Sequence, residues 1–251
     1  EREIFSKYLD PECALGAEER KTAAIKKWLA AELRNKDTNV RLYCDETSFH
    51  GVSSLDIVQF ARKTILGVLG EAPDLEVLYG TFTSGASTMF PRGPGVLEKK
   101  FMDEAHATAS ALPWFLKIRE SCVGWSAISD GLRGFPLLVE VVRGSVMFTV
   151  PKTAEIDRCA AKEPGLNMFL QKGVGDFIRS RLRSVLRQDL NDQTCNQRLA
   201  LQGSRDGTLA TLDLSSASDL ISQQLVFSLL PLDWYHLLND IRSHECCVEG
   251  E

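Results

Sequence analysis

The sequence has no apolar run near the roughly 18 residues that cross a bilayer as a helix. No basic-then-apolar leader opens it, and it begins at Glu1 rather than at a methionine. The reading is of a chain with no membrane partner. Its seven cysteines are odd in number and scattered, without a C-x-x-C pair. That pattern argues against a disulfide framework and fits a reducing, cytosolic compartment. The four histidines show no H-E-x-x-H or other ligand spacing, so structural zinc is not expected. A G-x-S-x-G elbow is absent, which leaves serine hydrolase chemistry without support. Internal repeats, low-complexity tracts and adjacent Asp-Asp pairs are also missing.

What is present is an ordinary globular composition: 251 residues, 44% hydrophobic and 25% charged. That suffices for one large domain or two modest ones with a core of their own. The net charge of −5 is unevenly spread. Between Arg143 and Arg205, eleven Lys or Arg stand against six Asp or Glu, leaving the remainder strongly acidic. A basic segment in an acidic chain is either a polyanion-facing surface or a solvated helix face.

The N-terminal third reads as helical. Ile25, Trp28, Leu29 and Leu33 share a face of a helix starting at Ala17, and a second helix should start after Ser53 or Ser54 and run to Leu69. Residues 79–94 are rich in Gly, Ser and Thr and should form a long loop. Helices are expected over 98–109 and 113–123. In "LLVEVVRGSVMFTV" two β-branched runs flank Arg143, Gly144 and Ser145, which predicts a hairpin, its second strand ending at Pro151. Beyond Pro164, Phe169, Leu170, Val174, Phe177, Ile178, Leu182 and Val185 stripe a strong helix. A turn at 203–207, a short strand at 209–214 and a helix from Ser218 to Leu229 complete the pattern.

Two stretches can carry chemistry. "TLDLSSASDL" sets Asp213 at the end of an apolar run and Asp219 in the first turn of a helix. Such a pair suits a hard, oxygen-loving ion bound together with substrate phosphates, or a ribose hydroxyl. Asp and Ser are equally the residues of a plain turn and helix cap. "FTVPKTAEIDRCAAKEP" carries Lys152, Arg158 and Lys162 between two prolines, a framed set of donors suited to a triphosphate. The alternative is surface pairing of these cations with Asp157 and Glu163.

Together, "FTVPKTAEIDRCAAKEPGLNMFLQKGVGDFIRSRLRSV", "DLNDQTCNQRLALQGSRDGTLATLDLSSASDLIS" and "IRSH" resemble the replicase of the single-stranded RNA bacteriophages, the leviviruses. The resemblance is dense from Val146 to His244 and thinner before, at "TFTSGAST" and "LRGFPLLVEVV". It implies an RNA-directed RNA polymerase, an α+β right-hand fold, and magnesium (or manganese) as cofactor. Asp213 then corresponds to the metal-binding first aspartate of the palm's motif A, and Asp219 to the group that senses the ribose 2′-hydroxyl. Lys152, Arg158 and Lys162 correspond to a basic fingers segment facing the nucleoside triphosphate. Arg179, Arg181, Arg183 and Arg198 lie in matching fingers sequence and are expected to meet RNA backbone. The implied partners are template and product RNA, nucleoside triphosphates and host translation factors, in the cytoplasm of a bacterial host.

On this reading residues 1–137 are a helical fingers region, 138–207 a basic fingers hairpin and helix, and 208–251 the start of the palm. The family's later palm motifs, including its Gly-Asp-Asp hairpin, and its thumb are not in the sequence. The expectation is therefore a chain inactive alone, with a sticky, unpaired palm edge. The competing readings are a non-catalytic RNA-binding module and another metal-dependent phosphoryl-transfer enzyme.

Overall fold

The computed structural model describes residues 15–44, 47–74, 78, 80–82, 85–90, 105–121 and 138–248. It is a mixture of helices and small sheets, α+β as expected. The chain divides into two compact units. The first comprises Glu1–Ala30, Ala72–Gly175 and Asp233–Glu251; the second comprises Ala31–Glu71 and Asp176–Leu232.

Helix α1 runs Ala17–Cys44, well past the expected Leu33. Glu18 and Glu19 occupy its first turn, where the helix dipole favours acids, and the Gly16 amide donates to Glu19 Oε2 at 3.0 Å. A short hairpin, β1 (Ser48–Phe49) and β2 (Val52–Ser53), leads into α2 (Ser54–Leu69). Ser53 caps α2 as expected. Its hydroxyl accepts from the Asp56 amide at 3.1 Å while Asp56 accepts from the Ser53 amide at 3.2 Å, a reciprocal capping box.

Among the described residues the first unit is built on two sheets and four helical segments. β3 (Ala105–Ala107) pairs in parallel with β4 (Val139–Val141). Residues 105–107 were expected to be helical; they are a strand, alternately buried, because β4 supplies a partner. Residues 98–104 of that expected helix lie outside the described residues. α3 spans Leu112–Ser121, close to expectation.

The three-stranded sheet has the order β6-β5-β7, with β5 (Gly144–Pro151) antiparallel to β6 (Asp157–Lys162) and parallel to β7 (Glu245–Cys247). The hairpin expected around Gly144 is therefore absent: the runs on either side of it join different sheets. Gly144 serves another purpose. A Cβ there would lie 2.0 Å from the Glu245 carbonyl oxygen, so only glycine lets β7 approach. The hairpin that does form is β5–β6, closed by Lys152–Ile156, where the Thr153 hydroxyl accepts from the Ile156 amide at 3.1 Å.

α4 (Gly165–Leu186) follows Pro164 as expected. Its first half supplies Leu166, Phe169, Leu170 and Val174 to the first unit's core, joined there by Phe115 and by Trp234, Leu237 and Ile241 of α7 (Leu232–Ile241). At the centre is Asn167, fully buried. It accepts from the Thr108 amide at 2.9 Å and donates to the Thr108 hydroxyl at 2.8 Å and the Ile241 carbonyl at 3.0 Å. A buried amide with these bonds fixes which surfaces of α4 and α7 meet.

In the second unit, α5 (Thr194–Asp206) runs straight through the expected turn at 203–207. Only Gly207 leaves the helix, as a left-handed cap with φ 68°. The expected strand at 209–214 is not one: the segment is irregular and exposed, and no described strand pairs with it. Apolar sequence permits a strand, but a ladder partner makes one. The helix expected from Ser218 is divided. A 3₁₀ turn spans Ser218–Leu220, the chain extends at Ile221, and Ser222 then caps α6 (Gln223–Leu229). Among the described residues no helix is long and apolar enough to cross a membrane.

Candidate nucleotide and RNA site

The β5–β6 register sorts the basic hairpin into two faces. Val150 lies opposite Arg158 and Val146 opposite Lys162, so these side chains share a face. Asp157 and Cys159 point the other way. Asp157 is buried and takes the Arg20 guanidinium at 3.1 Å, with both side chains largely shielded from water. Glu163 is likewise engaged elsewhere, accepting from the Ser243 hydroxyl at 2.7 Å.

Asp157 and Glu163 therefore pair with other groups, and Glu155, exposed in the turn, forms no ion pair among the described residues. Lys152 and Arg158 are exposed and have no ion-pair partner among the described residues. Lys162 is half-buried, its ammonium 5.3 Å from the centre of the Phe148 ring. The outcome is three cations along one hairpin, one resting on an aromatic and none cancelled by a described carboxylate.

The arginines of the second unit differ among themselves. Arg179 is exposed and reaches Asn191 Oδ1 at 3.4 Å. Arg183 approaches Asp189 at 3.6 Å while remaining mostly exposed. Arg181 is half-buried and donates to the Val68 carbonyl at 3.0 Å, fastening α4 to the end of α2. Arg198 is exposed on α5. Near its start, the Thr194 hydroxyl and amide hold the Asp192 carboxyl below its ordinary value, with a smaller pull from Arg198.

Asp213 does not sit at the end of a strand; it is exposed on the irregular segment and has no hydrogen-bond or ion-pair partner among the described residues. Asp219 is exposed in the 3₁₀ turn, its carboxylate 3.4 Å from the Ser218 hydroxyl. Among the described residues no group of three or more His, Cys, Asp or Glu is arranged to hold a metal ion. Two aspartates on an open loop do not constitute a metal site, because a divalent cation needs several converging oxygens. A cavity of about 660 Å³ in the second unit, lined by Arg41, Tyr43, Ser54 and Leu55 among others, includes none of the expected site residues.

Sequence reasoning did not single out Asn35 and Asn39 of α1. Asn35 donates from Nδ2 to the Asp219 carbonyl at 2.7 Å, and Asn39 Oδ1 accepts from the Gln224 amide at 2.9 Å. The available signal was two asparagines four residues apart inside a long helix, where asparagine is a poor helix former.

A family profile described as "RNA replicase, beta-chain" matches residues 1–251. The RNA-directed RNA polymerase beta chain of Escherichia phage MS2 is 47% identical over 199 residues, 78% of this chain and 36% of the relative. That of Enterobacteria phage fr is 46% identical over 199 residues, with the same coverage. The RNA-directed RNA polymerase subunit beta of Escherichia virus Qbeta is 40% identical over 245 residues, 96% of this chain and 39% of the relative. The chain thus spans well under half the length of these relatives.

Proposed function

The chain belongs to the RNA replicase beta-chain family, and from that premise we propose that it supplies the fingers and the opening palm segment of a right-hand RNA-directed RNA polymerase that copies a phage genome. The observation that carries this reading is the uncompensated basic face of β5–β6. A triphosphate needs several cations at once, and Lys152, Arg158 and Lys162 are offered with Asp157 and Glu163 turned to other groups and no ion pair to a carboxylate among the described residues. Arg179, Arg183 and Arg198 extend the offer to RNA backbone, whose binding is chiefly electrostatic. Arg181 would serve the same end only while also holding Val68.

Asp213 is proposed as one ligand for Mg²⁺ or Mn²⁺, with further carboxylates required beside it, and Asp219 as the group that reads the ribose 2′-hydroxyl. When bound, such ions neutralise charge at the attacking hydroxyl and the departing pyrophosphate. The residues of this chain would orient the triphosphate and select its sugar, and positioning with charge neutralisation accounts for most of phosphoryl-transfer catalysis. The proposed substrates are nucleoside triphosphates and template RNA in a bacterial cytoplasm, with host translation factors as further partners.

Binding of ATP to the 251-residue chain tests the basic face. Affinity should fall with added salt, and Lys152→Ala with Arg158→Ala should lower it by roughly tenfold or more. Lys26→Ala with Lys27→Ala should leave it unchanged. Equal affinity in all three proteins would refute the assignment. The chain alone is not expected to polymerise; template-dependent incorporation that Asp213→Asn abolishes would overturn that expectation.

A further inference from the structure

Asn35 and Asn39 lie one helical turn apart on the same face of α1. Mid-helix asparagine costs helical stability relative to alanine, since its side chain competes for backbone hydrogen bonds. Here both side chains bond to another segment instead. Asn35, only 9% exposed, donates to the Asp219 carbonyl at 2.7 Å. Asn39 accepts from the Gln224 amide at 2.9 Å. Gln224 lies in the first turn of α6, where amides lack intrahelical partners; the neighbouring Leu225 amide goes to the Ser222 hydroxyl at 3.3 Å. α1 thus caps α6 from outside while gripping the backbone of Asp219.

The gripped segment has little regular structure of its own. It opens at Ser216, whose φ of 54° is uncommon for a residue with a side chain. It continues through the three-residue 3₁₀ turn and the extended Ile221 to Ser222, 1% exposed. The Asp219 backbone is held, yet its carboxylate stays exposed, with the Ser218 hydroxyl as its one hydrogen-bond partner among the described residues. The Asn35 Oδ1 atom is buried and has no hydrogen-bond partner among the described residues, so the bond to Asp219 is the one its amide makes there.

We propose that Asn35 and Asn39 are positioning residues for Asp219: they fix its backbone so that its carboxylate meets a ribose 2′-hydroxyl at a set place. The inference rests on the reading of Asp219 as the ribose-sensing group. Selection between a hydroxyl and a hydrogen depends on placement to within a fraction of a hydrogen-bond length, and a loop reaches that precision only when a rigid element holds it.

The test compares ATP with 2′-deoxyATP binding, and amide exchange over 219–225, in the 251-residue chain and its variants. Asn35→Ala should speed exchange in that segment and reduce the preference for ATP by roughly tenfold, the loss of about one hydrogen bond's discrimination. Alanine raises the helix propensity of α1, so the loss would not come from a broken helix. Asn39→Ala, which removes only the outside cap, is the milder variant and should give the same two changes at smaller size. Asp219→Ala should abolish the preference outright. If Asp219→Ala leaves the preference intact, the ribose reading fails and the proposal falls with it. If Asp219→Ala abolishes it while both asparagine variants keep it, the positioning role alone is overturned. Unchanged exchange in both asparagine variants would also overturn it.

Discussion

The two compact units bury their apolar residues very differently. Of the 17 buried hydrophobic residues among those described, 15 lie in the first unit. Of the 26 large hydrophobic residues left exposed, 20 lie in the second. The first unit has its own core, with Phe115, Leu166, Trp234, Leu237 and Ile241 all essentially sealed. The second is organised by caps and polar clamps: the Ser53–Asp56 box, the Arg181–Val68 bond, and Asn35 and Asn39 on the segment from Asp219 to Gln224. Its Phe60, Leu212 and Leu214 are 74%, 85% and 74% exposed. One unit is stabilised by area removed from water and the other by directional bonds, so mutations should act on them through different routes.

The largest effect is expected in the sealed core. Trp234→Ala should cost about 3–5 kcal/mol in urea denaturation, through lost burial and the cavity left behind. A cost under about 1 kcal/mol would show that the first unit is not the rigid partner in this comparison.

A smaller change is expected at the capping box. Ser53→Ala should cost about 1 kcal/mol and fray the start of α2 in amide exchange. The same box should respond to acid. The Ser53 hydroxyl and amide hold the Asp56 carboxyl below its ordinary value of 3.8. A depressed folded value means the stabilisation is present above the unfolded value and is lost as pH falls through the folded one. Protection of the Ser53–Asp56 amides should therefore decline below about pH 4, and Asp56→Asn should remove that dependence. Asp192 and Asp206, also of the second unit, are depressed in the same way by Thr194 and Thr208.

The smallest stability effect is expected on the open surface. Leu212→Ser should change unfolding free energy by no more than about 0.5 kcal/mol while reducing self-association in light scattering. A large loss of stability would mean that the side chain is packed, and would erase the contrast between the units.

Features set by neighbouring residues were legible in the sequence. Ser53 reads as a cap, Pro164 precedes a striped helix, and the basic residues after Phe148 announce a face of one charge. Features set by distant chain were not. "RGS" looks like a hairpin turn, yet Gly144 is small because β7, a hundred residues later, passes against it. Leu209–Leu214 is apolar enough for a strand, but nothing in its own composition could say whether a ladder partner lies beside it. The same limit applied to the candidate site. Sequence order singled out Asp213, Asp219 and the three hairpin cations, whereas the bond from Asn35 to Asp219 spans 184 positions and depends on a helix that runs eleven residues beyond its expected end.

The alternation of Asp157 and Arg158 acts as a parity check on β6. In the observed register the acid meets Arg20 on the sheltered side and the base faces outward. A slip by one residue exchanges the two sides of a strand. It would turn Arg158 toward Arg20, two like charges with water largely excluded, and set Asp157 among the cations. Any other misalignment by an odd number of residues likewise exchanges the faces of Asp157 and Arg158. The hairpin thus carries its own error signal, written in two adjacent letters, and the charge pattern that offers a surface to an anion also rejects the wrong alignment of the strand that bears it.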